Sequence, residues 1–180
     1  VSPKGVHNVR IAEDSWERAF VRILNPLGED TSVMRTVLTP EMLEVLGRNY
    51  SRNIEAVRAF EIGNTFMANL IDEKDLPTES DAMSIGFYGK DEDFFTLKGA
   101  IVEVLGKLGI KDLEFVAEKE YGTYHPGRCA RILAKEMCYT ENGPAEELVE
   151  LGIMGEVHPE VAEKYGIGVR CYGKGLQAAP

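Results

Sequence analysis

Residues 128–157 read RCARILAKEMCYTENGPAEELVELGIMGEV. Two strand-like runs, Arg128–Tyr139 and Glu147–Val157, flank Asn142-Gly143-Pro144, a turn tripeptide. Run, turn and run predict an antiparallel pair, so a sheet is the organising element of the chain. Residues 136–163 carry eight glutamates and no lysine or arginine. That bias marks a solvated sheet face, with a docking surface for something basic as the alternative.

Working outward, Leu113, Phe115 and Ala117 alternate as a strand does. Before them, Asp93 opens a helix whose apolar residues Phe94, Leu97, Ile101, Leu105 and Leu108 recur at steps of three and four. Gly109 supplies the left-handed residue that ends it. Met83–Tyr88 reads as a short strand, and Asp72–Asp81, with five acids and a proline, as a solvated loop. Val57–Phe66 is a further strand, interrupted by Gly63. Thr39 and Pro40 are a cap and a first helical residue, with Met42, Leu43, Leu46 and Tyr50 at helical spacing, which predicts a helix over 40–53. Trp16–Leu24 reads as a strand broken by Asn25-Pro26-Leu27-Gly28. On the other side, Pro159–Tyr165 is a short helix ended by Gly166. The sum is an α+β domain, a largely antiparallel sheet with two substantial helices on one face.

A chain of 180 residues buries roughly 70% of its unfolded surface, enough for one domain over 1–180. Twenty basic against thirty acidic residues give a net charge of −10, which argues against a phosphate-backbone grip by this chain alone. The longest charge-free run, Ile62–Ile71, is ten residues, half of the ~20 a membrane helix needs, so no membrane association is expected. No secretion signal precedes the first elements. Cys129, Cys138 and Cys171 form no CxxC pair, which points to reduced thiols in a cytoplasmic protein.

Sites for chemistry are thin. There is no GxSxG elbow and no GxxxxGK[ST] phosphate loop. Asp91, Glu92 and Asp93 precede a helix and suit its N-terminal dipole better than a cation. His125 and His158 each stand before a proline, whose sterics extend and fix the backbone, so each ring holds a turn or serves as acid, base or ligand. Arg35 suits either a structural salt bridge or bidentate capture of a carboxylate or phosphate. Gly99 inside the second helix implies close approach of another element.

Taken in order, five motif groups resemble the beta subunit of bacterial phenylalanyl-tRNA synthetase. They are Asn25–Thr36 with Leu43-Glu44-Val45-Leu46; Arg58–Gly63; Asp93–Gly99; His125-Pro126-Gly127-Arg128; and Gly152–Pro159. The resemblance implies a segment of a longer subunit, namely its catalytic-like module. That module has a class II aminoacyl-tRNA synthetase-like antiparallel sheet flanked by helices and has lost catalysis. It further implies an alpha subunit as partner, which activates phenylalanine, with ATP and Mg2+ serving the whole enzyme and no cofactor in this segment. Contacts with tRNA fall mainly to other parts of beta. A class II site places an arginine on its motif 2 strand, and likeness aligns that strand with Val57–Phe66, where Glu61 stands near the arginine's place. A carboxylate there repels a triphosphate by roughly 4 kcal/mol at 4 Å and an effective dielectric of 20. Motif 3 is not visible, and residues 168–176 depart from the family's usual continuation. The motif 1 equivalent is expected before Val1, which would leave an apolar face open.

Arg35, His125, Arg128 and His158 are therefore the candidate interface or ligand residues, with no catalytic and no metal-binding residue expected. The alternative is a free-standing paralogue that binds an amino acid or nucleotide near Arg35 and His125, and a true enzyme built on the two histidines is a third option.

Overall fold

The 128–157 hairpin is the longest element of the structure. In the computed structural model, which describes residues 1–69, 76–140 and 143–177, and the side chains among them except those of 136–140, 143–145 and 177, it spans Tyr124–Thr140 and Gly143–Val157. In chain order the elements are α1 (Pro3–Asn8), α2 (Thr39–Tyr50), β1 (Val57–Met67), β2 (Thr78–Tyr88), α3 (Phe94–Lys107), β3 (Leu113–Ala117), β4 (Tyr124–Thr140), β5 (Gly143–Val157), α4 (Pro159–Lys164) and β6 (Cys171–Gln177). The strands form one sheet, ordered β1-β2-β6-β5-β4-β3, with every neighbouring pair antiparallel. The α+β antiparallel expectation holds.

The two helices lie on opposite faces of the sheet, which corrects the expectation of one face. Leu43 and Leu46 of α2 pack with Tyr88, Cys129, Val157 and Cys171. Leu97, Ile101 and Leu105 of α3 pack with Phe87, Ala130, Met154 and Tyr172. Successive strand residues point to opposite sides, so the adjacent pairs Phe87/Tyr88, Cys129/Ala130 and Cys171/Tyr172 each feed both cores. Helical periodicity shows that a helix has an apolar face but not which side of a sheet receives it.

Asp93 caps α3 by accepting from the Thr96 amide, and Gly109 follows at φ 90°. Thr39 is not a cap: it is the first residue of α2, and Leu38 holds the capping position without a side-chain bond. Trp16–Leu24 is not a strand. Trp16–Arg18 forms a 3-10 turn capped by Ser15, and the sole strand-like feature of the segment is an isolated bridge from Arg22 to Val33. Gly63 does not interrupt β1, since it pairs with Ala82 in unbroken register. Residues Thr78–Asp81, expected in a loop, begin β2, while Asp72–Asp75, Asn142 and the Cys138 side chain lie outside what is described. The segment expected to depart from the resemblance supplies β6, a central strand. Its alternation makes this possible. Cys171, Gly173 and Gly175 face α2, while Tyr172, Lys174 and Leu176 face α3.

Gly47 sits where α2 meets the end of α4. A β-carbon there would collide with the backbone carbonyl oxygen of Tyr165, which cannot swing aside as a side-chain tip can. The Gly47→Ala variant gains about 1 kcal/mol of helix propensity. It loses more to the overlap, and overpacking of this kind costs about 1–3 kcal/mol or more. Denaturant unfolding should show a net loss of stability, and a net gain would contradict the contact.

Lys174 is 1% exposed beneath α3, paired in register with Ile85 and Met154, and its ammonium has no hydrogen-bond partner. Burial alone pulls its pKa down to about 6. The unfolded chain holds this proton up to about pH 10.4, so it binds more protons than the native state above pH 6, and stability rises with pH across that window. The Lys174→Met variant should gain on the order of 3–5 kcal/mol at pH 7. It should also flatten the rise between pH 6 and about 8.5, below which cysteine ionisation adds nothing. Urea unfolding across that range checks both, and a variant no more stable than the parent would contradict a buried, neutral amine.

Candidate functional site

Two groups of the sequence-selected residues emerge, at opposite ends of the sheet. At the β1 end, residues 33–36 run along the strand, with the Phe66 amide donating to the Arg35 carbonyl at 2.8 Å. This aims the Arg35 side chain back across β1. Its Nη1 donates to Glu61 Oε1 at 2.5 Å and its Nε to the Asn64 carbonyl at 2.9 Å. Gly63 lets the guanidinium lie flat on the strand, where any β-carbon would overlap it. Glu41, from the first turn of α2, adds a second carboxylate near Arg35. Burial pushes its pKa up, the guanidinium pulls the other way, and one of its oxygens is buried without a partner.

The expected repulsion at Glu61 therefore needs correcting. A guanidinium does stand beside it, and the two charges form a closed ion pair in which both side chains are mostly buried. Glu61 is thus neutralised rather than a bare negative charge. These residues do not fit a triphosphate, since the Arg35 guanidinium is held by Glu61 with Glu41 alongside.

At the other end, His125-Pro126-Gly127-Arg128 is a bulge in β4. Tyr124 opposes Val157 and Cys129 opposes Gly155, so the intervening residues are pushed out of register. His125 Nδ1 accepts from the Gly127 amide at 3.1 Å and closes the bulge. Arg128 Nη2 donates to Glu156 Oε1 at 2.8 Å, and its Nε approaches Oε2 at 2.7 Å without hydrogen-bond alignment. Arg170 stands 3.9 Å from the same carboxylate. Glu156 is 3% exposed, so the 136–163 acids are not uniformly a solvated face; this one is buried and paired.

His158 caps α4, with Nδ1 accepting from the Glu160 amide at 3.2 Å. Its ring stacks on His125 at a centroid distance of 6.5 Å, and Arg10 bridges it to Glu160, 2.9 Å from the carboxylate. Burial, then the Arg10 charge and the neighbouring His125, lower the His158 pKa against the pull of Glu160. The imidazole is thus held neutral, a hydrogen-bonding strut rather than a proton store at pH 7. No hydroxyl or thiol is hydrogen-bonded to either ring among the described residues, so no activated nucleophile forms here.

Arg35 and His125 do not share a pocket. β1 and β4 are separated by three strands, roughly 19 Å at the usual strand spacing. A single ligand site spanning both, the basis of the paralogue alternative, is not what the fold builds.

Several charge pairs escaped the sequence pattern. Glu92, one of the acids before α3, is taken by Arg58 through Nε at 2.7 Å and Nη2 at 3.2 Å. Arg131 binds Glu118 and, at 2.7 Å, Glu150. Residues far apart in sequence meet only through strand register, which no local motif announces. Among the described residues no group of three His, Cys, Asp or Glu side chains has metal-binding geometry, and no helix is long and apolar enough to cross a membrane. A cavity of about 700 Å³ opens beside Glu17, Tyr121 and Thr39, and none of the four selected residues lines it.

Sequence comparison places the chain in a family. The family described as phenylalanyl tRNA synthetase beta chain CLM domain matches residues 1–177, β6 included. The chain is 41% identical to the phenylalanine–tRNA ligase beta subunit of Clostridium acetobutylicum over 172 residues, 96% of this chain and 20% of that protein. It is 39% identical to the corresponding subunit of Clostridium tetani over 173 residues, again 96% and 20%, and 34% identical to that of Carboxydothermus hydrogenoformans over 175 residues, 92% and 20%. The chain spans about a fifth of the length of these relatives. With the antiparallel sheet, the ordered motifs and this match in hand, the chain belongs to the CLM domain family of the phenylalanyl-tRNA synthetase beta chain.

Proposed function

We propose that this chain is the non-catalytic, class II synthetase-like module of a phenylalanine–tRNA ligase beta subunit. In this role it supports an alpha subunit that carries out ATP- and Mg2+-dependent attachment of phenylalanine to tRNA in the cytoplasm. One observation supports the non-catalytic part above all. Each arginine on the sheet strands, Arg58, Arg128 and Arg131, and Arg35 lying across β1, is engaged by an internal carboxylate. Phosphoryl and carboxylate groups of an aminoacyl-adenylate reaction need free, preorganised cations, and a guanidinium already paired at 2.5–2.7 Å must break that pair first.

The architectural part draws on the surface. Phe60 and Ile62 stand on the same side of β1 and are 72% and 68% exposed, an apolar pair of the kind that a protein partner covers. Contacts with tRNA are assigned to the remainder of the beta subunit.

Pyrophosphate exchange into ATP with phenylalanine tests the proposal. The chain alone should give no exchange above background, and alpha with full-length beta should restore it. The Arg35→Ala variant, built into that assembly, should keep kcat per assembled enzyme within about threefold. Exchange by the chain without alpha, or a collapse of kcat in assembled Arg35→Ala enzyme, would overturn it.

A further inference from the structure

The 700 Å³ cavity lies over the α2 face of the sheet, beyond the N-terminus of α2, and is unused by the role proposed above. Its walls come from parts of the chain far apart in sequence. Trp16 and Glu17 belong to the 3-10 turn, Thr39 to α2, Tyr121 and Tyr124 to the approach and start of β4, and Glu150 to β5. The volume is within the range of small-molecule pockets, roughly 300–1,000 Å³.

Its chemistry is unbalanced. Glu17 is 8% exposed, and its carboxylate is held by hydroxyls alone, with Tyr121 Oη donating to Oε1 at 2.8 Å and Ser15 Oγ to Oε2 at 3.0 Å. Among the described residues no lysine, arginine or histidine forms an ion pair with it. Arg131 lines the cavity but is committed to Glu118 and Glu150, so it leaves no positive charge over. Burial pushes the Glu17 pKa up against the pull of the Tyr121 and Ser15 hydroxyls, and the Glu150 charge adds to the rise. Both are the marks of a carboxylate without a counter-charge. A buried anion of this kind costs free energy unless something cationic compensates it.

We infer that this cavity binds a small primary amine with an apolar or aromatic body, its ammonium on Glu17 and its body between Trp16 and the tyrosines. The head group replaces the missing counter-ion, and the aromatic walls suit an amphipathic cation through cation–π contact and apolar burial. A ligand with a carboxylate is excluded, because Glu17 and Glu150 repel it and Arg131 is already paired.

Three probes that differ only in head group separate the possibilities: 2-phenylethylamine, 2-phenylethanol and 3-phenylpropionate. Trp16 is the only tryptophan of the 180-residue chain and lines the cavity, so its fluorescence reports occupancy directly. The amine should bind saturably and at least tenfold more tightly than the alcohol, and the acid should not bind. Glu17→Gln should weaken the amine at least tenfold and leave the alcohol unchanged. Should Glu17→Gln fail to fold by circular dichroism, the head-group series on the parent chain decides alone, with Tyr121→Phe as the second variant. That variant keeps the carboxylate and should retain the preference for the amine. Equal affinity for amine and alcohol, no saturable binding, or an unaltered amine affinity in folded Glu17→Gln would overturn the inference.

Discussion

β6 follows every other element in sequence, yet it lies in the middle of the sheet, between β2 and β5. Until it docks, β1–β2 and β3–β4–β5 are separate sheets, and a two-stranded sheet such as β1–β2 has little stability alone. Its seven residues join the two cores, with Cys171 closing the α2 side and Tyr172 the α3 side. Both helices, and the cavity whose floor includes Gly175, depend on a strand that pairs with partners over 80 positions away on one side and about 20 on the other. Pairings of such range close late and tie folding rate to topology.

Helices pack on both faces of the sheet and leave few places for charge along its centre. Where charge survives, it is paired within the fold: Arg35 with Glu61, Arg58 with Glu92, Arg128 with Glu156, and Arg131 with Glu118 and Glu150. Among the described residues, Lys174 and Glu17 depart from the pattern most clearly, beside the half-paired Glu41. Lys174 is buried without a partner and gives up its charge, and Glu17 is buried with hydroxyls only. The first is destabilising packing under α3. The second faces a cavity, which is what turns an uncompensated group into a candidate for ligand capture.

Much of the fold was legible because its signals are local. The hairpin declared itself by run, turn and run, α3 by its three-and-four spacing and its Asp93 cap, and the motif order by likeness to a family. What escaped is non-local. Trp16–Leu24 has strand-like composition, but with a single bridge to Val33 it has no partner strand to make it one. Residues 168–176 read as a departure from the family's continuation, yet the family match runs through 177 and residues 171–177 form a central strand. The pairing of that strand with β2 and β5, far away in sequence, is what the local pattern could not announce. Arg35 and His125 suggested one site from residue type alone, and strand order places them at opposite ends. Glu61 was rightly placed on a strand, but its partner, 26 residues earlier, only the fold could supply.

The central claim is that the guanidiniums of this sheet are closed to a nucleotide by their own carboxylates. Nitrogen-15 NMR of the arginine Nε–Hε groups measures this directly. The Arg35 signal should be individually visible and slow to exchange with solvent, and the signals of Arg35, Arg58, Arg128 and Arg131 should all stay unmoved by millimolar Mg·ATP. Saturable shifts of Arg35 or Arg128 on titration with Mg·ATP would show an open phosphate site and contradict the account.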